Sequence, residues 1–202
     1  MNATERKILA ALVQSYVGQA SALFSEFTLD FVKLNMVNMK ILSIAELQMV
    51  LDERTKLSSS RLTATRQPFI GSLGGESTLM IDEQSVCNLS QYLDHDTPPE
   101  THELDIFDTL SEVNNLMASG CIQYITQELG FKVEFFRPVV EFLSHTRLDL
   151  NRKHLSENSR VLLINTELDF KEDLIWGTWY LWIESASYTR LRRAISQYGL
   201  EN

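Results

Sequence analysis

The chain has 202 residues, which is the size of one large domain or of two closely packed halves. A hydrophobic fraction of 44% and an aromatic fraction of 9% are those of a chain that buries a sizeable core. The formal charge of −9 at pH 7 argues against a nucleic-acid partner, whose phosphates need a basic footprint, and suits a partner with basic groups around its docking site.

The N-terminus, MNATERKILAALVQSYVGQ, sets Lys and Arg ahead of apolar residues, as a signal peptide does. Gln14, Ser15 and Gln19 interrupt it at intervals that suit an amphipathic helix instead. Apolar residues from Ile8 to Phe27 recur at three- and four-residue steps, so the first element is a helix, with Thr4 placed to cap it. Residues 31–42 alternate in places as a strand does, 43–54 read as a short helix, and TKLSSSR (55–61) as a loop. Residues 62–70 and 76–81 read as strands joined by the turn GSLGG (71–75), and Asp82 caps a following helix.

Residues 94–103 (DHDTPPETHE) are acidic, hold two of the four prolines and lack an apolar period, which makes them a linker. The order of elements then repeats. A helix is expected from Asp105 to Leu129, strands over 131–143, 160–170 and 174–183, and a last helix near 188–198. The run 21–34 falls opposite 121–134 at a shift of 100, and 74–83 falls opposite 176–185 at a shift of 102. The fold class is therefore α+β: duplicated αβββα halves, 1–93 and 104–202, forming one domain with a six-stranded sheet packed by long helices.

No stretch reaches the roughly 18 apolar residues of a membrane span, so no membrane insertion is expected. Cys87 and Cys121 share no CxxC spacing and read as reduced thiols of a cytoplasmic protein. No P-loop, GxGxxG or GxSxG is present, and His95, His102, His145 and His154 lack metal-ligand spacing. Neither a metal nor an organic cofactor of the chain's own is expected.

On the helix expected from Asp105, a stripe including Leu110, Val113, Met117 and Cys121 faces one way. Asp108, Glu112, Asn115 and Ser119 face the other. Glu112 and Asn115, three residues apart, project side by side, whereas Asn114 points about 100° away. Taken alone, such a pair reads as a solvated helix face, with Asp105 as N-cap and Asp108 as a first-turn acid favoured by the helix dipole.

The wider spacing goes further. Asp108, Glu112, Asn115 and Pro138 stand at the spacing Asp/Ser, three residues, Glu, two residues, Asn, 22 residues, Pro. This resembles the signature of the CheC/CheX/FliY family of chemotaxis response-regulator phosphatases, and the tandem layout is similar over nearly the whole chain. The resemblance implies hydrolysis of the aspartyl phosphate of a CheY-like response regulator, which supplies its own Mg²⁺. It makes Glu112 the residue that docks on the regulator's lysine and Asn115 the residue that orients water. Asp108 is a supporting residue, and Pro138 is structural, since it has no N–H for a ladder. Some relatives bind the receptor deamidase CheD, a second candidate partner for which no motif here speaks.

In the first half, Ile8, Leu12, Ser15 and Asn38 stand at the matching positions, so that half should be catalytically silent. A non-catalytic adaptor or flagellar-switch-like module of the same architecture is the alternative. Arg190, Arg192 and Arg193 on the last helix read either as a docking patch or as a solvated face.

Overall fold

The runs VLLI (161–164) and WYLWI (179–183) contain no charged residue and no alternation, which in a strand requires cover on both faces. The computed structural model describes residues 1–28, 32–57, 62–82, 84–86, 88, 102–143, 160–170 and 173–201. In chain order they form α1 (Ala3–Thr28), β1 (Val32–Leu42), α2 (Ile44–Leu57), β2 (Leu62–Gly71), β3 (Gly75–Asp82) and α3 (His102–Glu128). There follow β4 (Val133–Phe135), β5 (Val139–Leu143), β6 (Arg160–Phe170), β7 (Asp173–Ile183) and α4 (Ser185–Glu201). Residue Asp82 does cap a helical segment, its Oδ1 accepting the Ser85 N–H at 2.8 Å.

All strands pair antiparallel in one sheet of order β1-β6-β7-β3-β2-β4, with β5 also on β2. Side chains alternate between two cores, as the pleat dictates. Leu162, Ile164, Trp179, Leu181 and Ile183 join α1, α3 and α4 in the larger one. Val161, Leu163, Tyr180 and Trp182 face the smaller one, beneath Leu47 of α2. Each apolar side chain so enclosed contributes about 1.5–3 kcal/mol relative to exposure.

The sheet order reads alike from either end once the halves are exchanged. The first strands of the halves lie at opposite edges, and the third strands, β3 and β7, meet in the middle. Residues at the shifts read from the sequence bond to each other, one pair where β3 meets β7 and one where α1 meets α3. Trp179 Nε1 donates to Ser77 Oγ at 2.5 Å, 102 residues away in sequence. The Tyr16 hydroxyl donates to the carbonyl of Leu116, 100 residues away.

Several local expectations need correction. The cap of α1 is Asn2 rather than Thr4: Glu5 N donates to Asn2 Oδ1 and Asn2 N to Glu5 Oε2, both at 2.8 Å, a reciprocal capping box. Helix α2 runs through Leu57, into the stretch read as loop, and Ser43 with Glu46 forms a second capping box at its start. The strand expected over 131–143 is two strands, so among the described residues the sheet has seven rather than the expected six. Pro138 has no N–H to donate and lies in the break at 136–138. In the other half, β1 keeps its pairing through a bulge between Met36 and Asn38, where Asn38 retains its N–H.

Helix α3 begins at His102, inside the expected linker, because no helix breaker stands between His102 and Asp105. Asp105 is therefore not its N-cap, and Asp108 lies in the second turn rather than the first, which removes the helix-end role considered for it. The helix stops at Gly130, whose φ of 69° lies in the left-handed region that favours glycine, and Phe131 N donates back to Thr126 O at 2.6 Å. The rest of the linker and the polar stretch near 144–158 lie outside the described residues.

Candidate functional site

Leu110, Val113, Met117 and Cys121 turn the apolar stripe of α3 into the core. The opposite face then carries Asp108 and Glu112 in solvent and Asn115 half-buried. Among the described residues no hydrogen bond or ion pair ties down either carboxylate, so both are presented outward. Asn114 belongs to the core: it is fully buried, and its Oδ1 accepts from Ser77 Oγ at 3.5 Å. Its Nδ2 has no partner among the described residues. The two adjacent asparagines are thus separated by one helical step into a core residue and a surface residue.

Asp108, Glu112, Asn115 and Pro138 line one open cleft of ≈ 780 Å³. Helix α3 forms one wall, and the break between β4 and β5 forms the other, with Phe136 and Arg137 exposed at its lip. The break is seated on β2, since Phe136 N donates to Pro68 O at 3.0 Å. The four positions separated by up to 30 residues in sequence therefore meet through the pairing of β2 with the strands on either side of Pro138.

The floor of the cleft holds a residue that sequence reasoning missed, Gln67 of β2. Its Nε2 donates to Asn115 Oδ1 at 2.9 Å and to the Phe136 carbonyl at 3.2 Å. Gln67 is 2% exposed, and its Oε1 has no partner among the described residues. An unsatisfied buried acceptor costs about 1–3 kcal/mol, so the two donated bonds are what hold this amide as it stands. One signal was legible: in TATRQPFIG, period two sets Gln67 on the same face as Thr63, Thr65 and Phe69, a polar amide at an inward position.

The matching positions of α1 and β1 are built otherwise. Leu12, opposite Glu112 at the shift of 100, is buried in the main core, and Ile8 and Ser15 supply no carboxylate or amide. Arg190 and Arg192 are engaged internally: Arg190 Nε donates to Ser72 O at 2.8 Å, and Arg192 Nε bonds Glu5 at 3.2 Å. They tie α4 to the sheet end and to α1. Burial pushes the Cys121 thiol up, away from reactivity. Cys87, His95, His145 and His154 lie outside the described residues. Among the described residues, no group of three or more His, Cys, Asp or Glu could hold a metal, and no helix is long and apolar enough to cross a membrane.

No protein-family model matches the sequence, and no curated protein matches it. Solved structures do. FliY of Thermotoga maritima superposes with a TM-score of 0.72 at 12% identity, covering 98% of each chain. The FliM middle domain of H. pylori gives 0.67 at 8% identity, over 96% of this chain and 99% of that one. A chain of the CheX–CheY–BeF3–Mg²⁺ complex from Borrelia burgdorferi gives 0.51 at 14% identity, over 84% and 96%. The chain therefore has the fold of the CheC/CheX/FliY-type chemotaxis proteins, which it shares with FliM middle domains.

Proposed function

We propose that the protein is a phosphatase that hydrolyses the aspartyl phosphate of a CheY-like response regulator, at a single site in its second half. One observation carries this reading: the four signature positions line one open cleft, with Glu112 free in solvent and Asn115 held from below. Phosphoryl transfer asks chiefly for positioning and charge stabilisation, and an acid beside an amide supplies both. In support, a similar fold has been solved in a CheX–CheY complex carrying BeF3 and Mg²⁺.

In the proposed reaction Glu112 pairs with the regulator's active-site lysine and sets the register of the two proteins. Asn115 hydrogen-bonds the attacking water, which its amide orients but is too weak a base to deprotonate fully. The water oxygen bonds to phosphorus, and the bond from phosphorus to the aspartyl oxygen breaks. The electron pair leaves with the regulator's carboxylate, and both water protons end on inorganic phosphate. On the family resemblance, Mg²⁺ would be held by the regulator's own residues and would supply charge stabilisation there. Asp108 adds negative charge beside Glu112 and supports docking on a basic partner surface. Pro138 keeps the far wall open by ending β-pairing there. This reaction belongs in the cytoplasm, with CheD as a second partner on the family resemblance alone.

A second reading is a switch-type module that binds partners without hydrolysis. It is favoured by the FliM middle-domain likeness, including one solved in a FliG–FliM complex at a TM-score of 0.65. The test is to add the purified protein to a phosphorylated CheY-like regulator with Mg²⁺ and follow both complex formation and phosphate release. Release faster than the regulator's own decay supports the phosphatase; binding without acceleration gives the adaptor reading instead.

A further inference from the structure

We infer that Gln67 is a positioning residue that sets which end of the Asn115 amide faces the cleft. The consequence for rate rests on the phosphatase reading; the geometric claim does not. A side-chain amide has nearly the same shape after a 180° turn, yet its two ends have opposite hydrogen-bonding character. Asn115, half-buried at the rim of a wide cleft, has no steric reason to prefer either orientation. The choice has to come from a neighbour of fixed polarity.

That neighbour is the Phe136 carbonyl, a backbone group that only accepts. It is held in place because Phe136 N is bonded to Pro68 O at 3.0 Å, next to Gln67 on the same strand. The Gln67 amide, 3.2 Å from this carbonyl, must meet it with NH₂. The same nitrogen lies 2.9 Å from the Asn115 amide and so requires oxygen there. The reverse arrangement would set the Gln67 oxygen against a carbonyl, with no solvent at a side chain 2% exposed to relieve it.

Polarity thus passes from Phe136 through Gln67 to Asn115. Asn115 keeps its Oδ1 toward β2 with one lone pair spare, and both Nδ2 hydrogens face away from Gln67. The attacking water then meets its acceptor, the spare lone pair of Oδ1, in one fixed place, with the NH₂ beside it as a donor rather than in its place. Glutamine is required for the purpose: glutamate has no donor for either oxygen, and leucine fills the space without polarity.

The test uses the full chain, with Gln67→Leu, Gln67→Glu, Asn115→Ala and the Gln67→Leu/Asn115→Ala pair. Single-turnover phosphate release from a phosphorylated regulator should fall about tenfold or more for Gln67→Leu, a misplacement effect, while binding of the BeF3–Mg²⁺ regulator changes less than about twofold. In the Asn115→Ala background, Gln67→Leu should cause no further loss. An unchanged rate, or an equal loss in both backgrounds, overturns the inference. A second measurement stands apart from activity and from the folding of any Gln67 variant: side-chain amide exchange in the ¹⁵N-labelled wild type. The Gln67 NH₂ should exchange slowly and shift on Asn115→Ala, with the Asn115 NH₂ exchanging rapidly. A fast Gln67 amide, or one that Asn115→Ala leaves unmoved, overturns it. A protected Gln67 amide in a protein without hydrolytic activity removes the phosphatase reading and leaves the positioning intact.

Discussion

The Tyr16 hydroxyl donates to the Leu116 carbonyl, so α1 and α3 meet where the halves' equivalent residues face each other. Gly120 makes room for the phenol: a Cβ there would lie 2.5 Å from the hydroxyl and 2.7 Å from Cε2 of the ring. Alanine normally gains about 1 kcal/mol over glycine in a helix. Here overpacking against a buried ring costs about 1–3 kcal/mol, so the sign reverses. Gly120→Ala should lower unfolding free energy in denaturant titrations, and Tyr16→Phe should lower it by about 0.5–1.5 kcal/mol. A stabilised Gly120→Ala would show that the two helices do not approach this closely.

The exposed position of Glu112 separates docking from folding. Glu112→Ala should leave stability within about 0.5 kcal/mol of wild type, since the residue is exposed and its carboxylate makes no hydrogen bond or ion pair with a described residue. Loss of a charge pairing with a lysine should weaken regulator binding about tenfold or more, measured by calorimetry at low salt. Equal binding by the variant would remove Glu112 from the interface.

Leu12, the counterpart of Glu112, is 5% exposed and belongs to the core. Leu12→Ala should cost about 2–5 kcal/mol in stability. Below its melting temperature, the phosphate-release rate per folded molecule should match that of wild type. A selective loss of rate would place chemistry in the first half as well.

Glu5 supplies a pH dependence. Burial raises its pKa, but hydrogen bonds from Ser196, Asn2 and Arg192 outweigh burial and bring it down from 4.5 to about 2. A carboxylate with a depressed folded pKa stabilises the fold above its unfolded value, and the contribution fades as pH falls from 4.5 toward 2. Glu5→Gln should therefore be less stable than wild type at pH 7, with the gap closing between pH 4.5 and 2. A gap that persists unchanged to pH 2 would mean that Glu5 is not ionised in these bonds.

Much of this was legible because helix and strand periods survive in the sequence. The stripe through Leu110, Val113 and Met117 told Asn115 from Asn114, since one residue is a rotation of about 100°. The shifts of 100 and 102 read from the sequence are also the separations of two hydrogen-bonded pairs, Tyr16 with Leu116 and Ser77 with Trp179. The interleaving of the strands was not legible, because strand order is set by long-range pairing that leaves no local mark. The start of α3 was missed because prolines and acids near 98–103 masked three residues able to continue a helix. Gln67 was missed for the same reason as the strand order. Its meaning comes from Phe136 and Asn115, which only the pairing around β2 brings beside it.

The most direct measurement is the rate of regulator dephosphorylation with Mg²⁺, for wild type and Asn115→Ala at equal complex concentration. Wild type should accelerate phosphate release, and Asn115→Ala should lose about 10²-fold of that acceleration while binding the regulator as before. An Asn115→Ala protein as fast as wild type, or a wild type that binds without acceleration, would contradict the account.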